Sequence, residues 1–178
     1  MTRRLFFTGP IGCGKSTAIR TALGERLSQC GGLITRRYRE PYLHFTAESP
    51  DGSRKATFLD LSTGKPEVTL QVFSPAALQG DILILDEIGG VELLNGDFAK
   101  ALEEVLKSDV PILGVVKGSG PASALVEALA LTEEYRLAAE RLREQLGSDP
   151  NTTLYECSQF DEHARHLAEQ WAEEYLHD

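Results

Sequence analysis

The segment Gly9-Pro10-Ile11-Gly12-Cys13-Gly14-Lys15-Ser16 obeys the spacing G-x-x-x-x-G-K-[ST]. It stands between the apolar run Leu5-Phe6-Phe7-Thr8 and a helical pattern that puts Ile19, Ala22, Leu23 and Leu27 on one face. A strand, a glycine-rich turn and a helix in that order form a phosphate cradle. Glycines without a Cβ adopt positive φ and bring backbone NH groups close to phosphate oxygens, and the helix start adds unpaired NH groups and the positive dipole end. The nucleotide-binding set is therefore Gly9, Pro10, Ile11, Gly12, Cys13, Gly14, Lys15, Ser16 and Thr17. Lys15 is expected to reach the β and γ phosphates and Ser16 to give its hydroxyl to a magnesium ion.

Binding phosphate does not cleave it, so a second acidic element is needed. Ile82-Leu83-Ile84-Leu85 is a branched aliphatic run that reads as a strand buried on both faces, and it ends in Asp86-Glu87. In open parallel sheets ligands bind at the carboxyl ends of strands. A carboxylate there is costly to bury unless a cation compensates, which suits Asp86 to the metal and Glu87 to the general base that orients an attacking water. Lys15, Asp86 and Glu87 are the predicted catalytic residues, and Ser16 with Asp86 the predicted metal site.

The formal net charge of −9 argues against nonspecific nucleic-acid binding. Residues 1–60 carry +5 and the remainder −14, so the basic part is the part with the phosphate loop. No apolar run is long enough to span a bilayer, and the N-terminus leads straight into a strand, from which a cytoplasmic protein is expected. Cys13, Cys30 and Cys157 lie in no C-x-x-C arrangement, and the four histidines have no metal spacing. A protein partner is left open by the sequence.

Strand and helix patterns alternate along the chain, predicting an α/β three-layer fold with a mostly parallel central sheet. Residues 1–178 read as one domain with a β-rich, antiparallel insertion over about 31–73 and an extra charged helical segment over about 132–149. Within the insertion, Leu33-Ile34-Thr35 is a short strand followed by the basic cluster Arg36, Arg37 and Arg39. Tyr42–Thr46 and Ala56–Leu59 flank the turn Ser49-Pro50-Asp51-Gly52 as a hairpin, and Val68–Phe73 is a further strand. Asn95 caps a helix carrying Phe98, Ala101, Leu102 and Val105; Pro111–Val116 is a buried strand. Ala122–Leu146 reads as helix with Tyr135, Ala138, Leu142 and Leu146 in register. Thr153–Cys157 is the last strand, and Ser158 and Asp161 have capping-box spacing before a final helix bearing Phe160, Ala164, Leu167, Trp171 and Tyr175.

Three phrases taken together, Gly9 to Ser16, Leu83 to Leu93 with its Asp-Glu-Ile-Gly-x-x-Glu-Leu core, and Ile112-Leu113-Gly114-Val115-Val116-Lys117, resemble the P-loop nucleoside-triphosphatase family that includes the cancer-related NTPase. The resemblance implies a compact α/β domain that slowly hydrolyses ATP, GTP and other nucleoside triphosphates with magnesium, releasing diphosphate and phosphate. Ser123–Glu127 also looks like the family's segment after the Leu-Gly strand. Two departures stand out: the family's Gly-Phe-x-Thr-x-Glu-x-Arg phrase appears as Gly32 to Arg39 with Arg37 in place of the acid, and residues 132–149 are additional.

Arg36, Arg37, Arg39 and Lys117 are candidate contacts to phosphate or substrate, because a cation on the transferring phosphoryl group accelerates its departure. Glu92 belongs with them as a motif glutamate of unassigned chemistry. Two other readings stay open. One is a kinase moving the γ-phosphate to a nucleotide or small metabolite, with residues 132–149 as a lid. The other is a nucleotide-dependent adaptor or switch.

Overall fold

The computed structural model describes residues 2–118, 133–159 and 161–176. Eight strands form one sheet in the order β5-β4-β3-β2-β6-β7-β1-β8. They are β1 (Arg4–Thr8), β2 (Gly31–Tyr38), β3 (His44–Glu48), β4 (Lys55–Asp60), β5 (Glu67–Val68), β6 (Leu83–Ile88), β7 (Ile112–Val116) and β8 (Thr152–Glu156). Helices α1 (Lys15–Leu23), α2 (Gly96–Lys107), α3 (Glu133–Ser148) and α4 (Glu162–Tyr175) complete the described structure. The strands from β2 through β6, β7 and β1 to β8 are parallel; β3, β4 and β5 extend the edge in antiparallel fashion.

Helices cover the central strands on both sides, so those strands are apolar without alternation and their residues divide between two cores. Phe6, Leu83, Leu85 and Ile112 join the core under α2 and α3. Leu5, Phe7, Ile84, Leu113 and Val115 join the core under α1 and α4. This division positions the site. Asp86 follows Ile84 by two residues and faces the α1 side, and a register irregularity between Asp86 and Ile88 then returns Ile88 to the other core.

The insertion begins differently from the sequence expectation. Strand β2 is longer than Leu33–Thr35 because Gly31–Ile34 pair in parallel with β6 while Ile34–Tyr38 pair with β3, so Arg36 and Arg37 lie inside a strand. Only β3 to β5 are wholly antiparallel. Val68–Phe73 is not a strand: after the two-residue β5 the chain makes a 3-10 turn at Leu70–Val72. The turn drives Phe73 into an aromatic row with Phe58 and Phe98, centroids 5.1 and 5.8 Å away, and Asn95 Nδ2 donates to the carbonyls of Leu70 and Phe73 at 3.0 Å. The same Asn95 caps α2 through its Oδ1.

Three smaller differences have equally local causes. Helix α1 ends at Leu23 because Gly24 turns out at φ 54°, and Leu27 packs on the core from a 3-10 turn instead. At α4 the cap is Asp161, whose Oδ1 accepts from Ala164 N at 3.1 Å while its Oδ2 accepts from Ser158 N, so the predicted box is not formed around Ser158. Helix α3 buries Tyr135, Ala139, Leu142 and Leu146 and pairs Arg136 with Glu140 on its outer face. That face of the helix is part of the core. The first half of the predicted Ala122–Leu146 helix, the Ser123–Glu127 phrase and Phe160 lie outside the described residues. Among the described residues no helix is long and apolar enough to cross a membrane.

Gly32 shows how tightly β2 approaches β6. Its φ is 123°, and a Cβ there would stand 2.0 Å from the Ile84 carbonyl oxygen. Gly32→Ala is expected to cost about 3 kcal/mol or more of unfolding free energy, read by urea denaturation, because both the backbone region and the space exclude a side chain.

Candidate active site

Strand β1 sits between β7 and β8, with the chain leaving toward β2 on one side and β8 added on the other, so its carboxyl end is a switch point in the sheet. The Gly9–Ser16 loop occupies that position. Gly9, Gly12 and Gly14 have φ of 124°, 79° and 100°. Gly9 leaves no alternative, since a Cβ would lie 2.5 Å from the Cys157 carbonyl oxygen. Gly14 caps α1 in the left-handed conformation, no side chain takes the first-turn NH groups, and no acid occupies that turn. The helix start is thus open to an anion.

Lys15 is folded back onto the loop. Its Nζ donates to the carbonyls of Gly9 at 3.0 Å and Pro10 at 2.6 Å and lies 3.4 Å from Cys13 Sγ. Ser16 Oγ donates to Asp86 Oδ1 at 2.7 Å, joining residues that are 70 positions apart. Asp86 is 2% exposed. Burial pushes its pKa up to about 6; the Ser16 hydrogen bond opposes this, neighbouring Glu87 adds to it, and Arg20 and Arg36 pull it down. A desolvated carboxylate beside a hydroxyl is an oxygen donor set that a small hard cation relieves, so these residues fit magnesium.

Glu87 shares a cavity of about 200 Å³ with Ile11, Gly12, Gly14, Lys15 and Thr17. Its backbone is in the left-handed region at φ 75°, the one such non-glycine among the described residues. Strain of that kind persists where surrounding structure over-determines it. The surroundings are evident here. Thr35 Oγ1 donates to Glu87 Oε2 at 3.2 Å, and the following turn is clamped by Glu92, whose Oε1 accepts from the NH groups of Gly89 at 2.7 Å and Gly90 at 2.8 Å. Tyr135 OH donates to the Gly89 carbonyl at 3.4 Å, and Lys117 N donates to the Ile88 carbonyl at 2.8 Å.

This clamp gives Glu92 a role in the turn. Glu92, 2% exposed, faces its own turn rather than a phosphate; burial raises its pKa, with Lys117 and the turn NH groups opposing. Lys117 Nζ lies near the same turn: a Cβ on Gly90 would stand 2.7 Å from Glu92 Oε2 and 2.8 Å from Lys117 Nζ. Glu92→Ala would strand two buried NH groups, with an expected cost of about 2 kcal/mol or more. Turnover should fall with it as Glu87 loses its support, which denaturation and steady-state kinetics together would show.

The arginines separate. Arg36 and Arg37 line a second cavity with Ser16, Arg20, Thr35, Tyr38 and Asp86, and the Arg37 guanidinium lies over the Phe45 ring. Arg39 is exposed and lines neither cavity. Thr35 and Arg20 were missed as site residues by the sequence reading. The signal for Arg20 was available, since it is four residues after Ser16 and so on the same helix face; that for Thr35 was not, because it depends on the register of β2 against β6. Among the described residues the histidines and cysteines form no group that could hold a metal ion.

A phosphate loop at the switch point of a mostly parallel sheet, with a serine hydroxyl meeting an acid from a neighbouring strand, defines a P-loop nucleotide-binding α/β protein. Residues 4–146 match the family model described as NTPase, and the chain belongs to that family. It is 31% identical over 143 residues to the nucleoside-triphosphatase THEP1 of Thermococcus kodakarensis, covering 65% of this chain and 77% of that one. With THEP1 of Methanosarcina barkeri the identity is 27% over 171 residues, 80% and 92% of the two chains. Among solved structures, a human cancer-related nucleoside triphosphatase superposes with a TM-score of 0.64 at 20% identity, over 98% of this chain and 97% of that one. THEP1 from Aquifex aeolicus gives 0.66 at 18% identity, over 98% and 99%. These two likenesses concern the fold.

Proposed function

We propose that the protein is a magnesium-dependent nucleoside triphosphatase acting on ATP and GTP. The observation that carries this is the 2.7 Å bond between Ser16 Oγ and Asp86 Oδ1, which joins the phosphate loop to a buried acid at the carboxyl end of the sheet. The names of the THEP1 relatives support nucleoside-triphosphate hydrolysis. The loop NH groups from Gly9 to Thr17 bind the phosphate oxygens, and Lys15 exchanges its contacts with Gly9 and Pro10 for the β and γ phosphates. Ser16 and Asp86 would hold magnesium, which when bound neutralises charge on the phosphates. Glu87, held by Thr35, orients a water and takes its proton as the water oxygen bonds to the γ phosphorus. The bond from that phosphorus to the bridging oxygen breaks, and the diphosphate leaves with the electron pair. Because the loop grips phosphates rather than a base, ATP and GTP are both substrates in this account.

A kinase is the second reading, and the arginine-lined cavity beside Asp86 favours it. A time course with terminally labelled ATP and GTP, with magnesium or with chelator, separates them. Free labelled phosphate formed only with magnesium supports hydrolysis; label appearing in an added acceptor supports transfer; neither product rejects both.

A further inference from the structure

Two cavities of different chemistry meet at Ser16. One holds Gly12, Gly14, Lys15 and Glu87. The other, about 260 Å³, is walled by Arg20 from α1, by Thr35, Arg36, Arg37 and Tyr38 from β2, and by the Ser16–Asp86 pair itself. Ser16 is the one lining residue they share among those described.

The wall of the second cavity carries arginines whose hydrogen-bonding capacity is only partly used. Arg36 Nε lies 2.9 Å from Glu48 Oε2, and Glu48 is further engaged by Tyr38 OH and Thr46 Oγ1 at 2.8 Å and by Lys55 Nζ at 3.2 Å. Those contacts fix the stem of Arg36. Its terminal nitrogens and the guanidinium of Arg20 make no hydrogen bond or ion pair with other described residues, whereas the Arg37 guanidinium lies over the Phe45 ring, 5.8 Å from its centroid. The acid in the cavity wall itself, Asp86, is already turned to Ser16. Guanidinium groups present planar forks that match the oxygens of a phosphate, and two of them, from Arg20 and Arg36, in the wall of one recess favour an anion over a neutral molecule. The recess is small and the whole chain carries −9, which disfavours a polymeric nucleic acid as occupant.

We infer that this recess binds a second ligand bearing a phosphate monoester, seated beside the triphosphate and not in place of it. The inference rests on the nucleotide reading of the loop. It deepens that reading by giving the site two anionic ligands, one in each cavity.

Calorimetry tests it with adenosine monophosphate as the probe, titrated into protein already saturated with a non-hydrolysable ATP analogue and magnesium. One molecule per chain is expected to bind, adenosine lacking the phosphate is expected not to, and Arg20→Ala and Arg36→Ala are each expected to weaken binding at least about tenfold. Arg36→Lys should recover part of the loss, since charge remains while the fork is gone. Absence of probe binding to the saturated protein, displacement of the analogue by the probe, or unchanged affinity in both alanine variants would overturn the inference while leaving triphosphate binding intact. Failure of the analogue itself to bind is a different result: it removes the nucleotide reading, and this inference with it.

Discussion

Glu87→Gln is expected to lower kcat by between about 10² and 10⁴ while changing triphosphate affinity little. The amide keeps the size and the hydrogen bond from Thr35 Oγ1 but cannot take a proton from water. Glu87 lies in the loop cavity without being part of the Ser16–Asp86 pair, so the loss belongs to the chemical step. Steady-state kinetics beside calorimetric binding of the analogue gives the answer. A variant turning over at the wild-type rate removes Glu87 as base, and a variant that no longer binds reassigns it to the cradle.

The second large effect is a pair of opposite changes in one variant. Asp86→Asn should reduce kcat/KM by about 10³, since the carboxylate that would hold the cation is lost. The same variant should be more stable than wild type when metal is absent. The folded-state pKa of Asp86 is raised to about 6 from 3.8, chiefly by burial, so the folded protein holds this proton more tightly than the unfolded chain. The stabilising contribution of the protonated form is complete below pH 3.8 and disappears as pH rises through about 6. Above that pH the ionised, buried carboxylate costs the metal-free protein up to about 3 kcal/mol, a burden that asparagine does not carry. Thermal denaturation in chelator should therefore show variant and wild type close together near pH 4 and separated at pH 7. Magnesium with a triphosphate should close the gap from the wild-type side. A variant less stable than wild type at pH 7 in chelator would contradict the burial argument.

The parts of the molecule legible in the sequence share a physical character. The loop was readable because positive φ at Gly9, Gly12 and Gly14 is a property of residue type, and β6 because four branched aliphatics in a row suit a strand covered on both faces. Asn95 and the face of α2 were readable because capping and helical spacing are local. What escaped depends on contacts distant in the chain. Phe73 turns the expected strand after Val68 inward because Phe58 and Phe98 wait to receive it. Glu92 and Lys117 looked like surface charges of a site because sequence cannot show that one caps Gly89 and Gly90 and the other lies beside it. Arg36 and Arg37 were recognised as candidates, but not that Arg20 of α1 would line the same cavity.

The proposal that loop and acid act together around a cation makes triphosphate binding depend on magnesium and on Asp86. The most direct measurement is calorimetric titration of a non-hydrolysable ATP analogue into wild type and Asp86→Asn, each with magnesium and with chelator. The account predicts one analogue bound per wild-type chain, at least about tenfold more tightly with magnesium, and little or no magnesium effect in the variant. Equal affinity in all four titrations, or no binding in any, would contradict it.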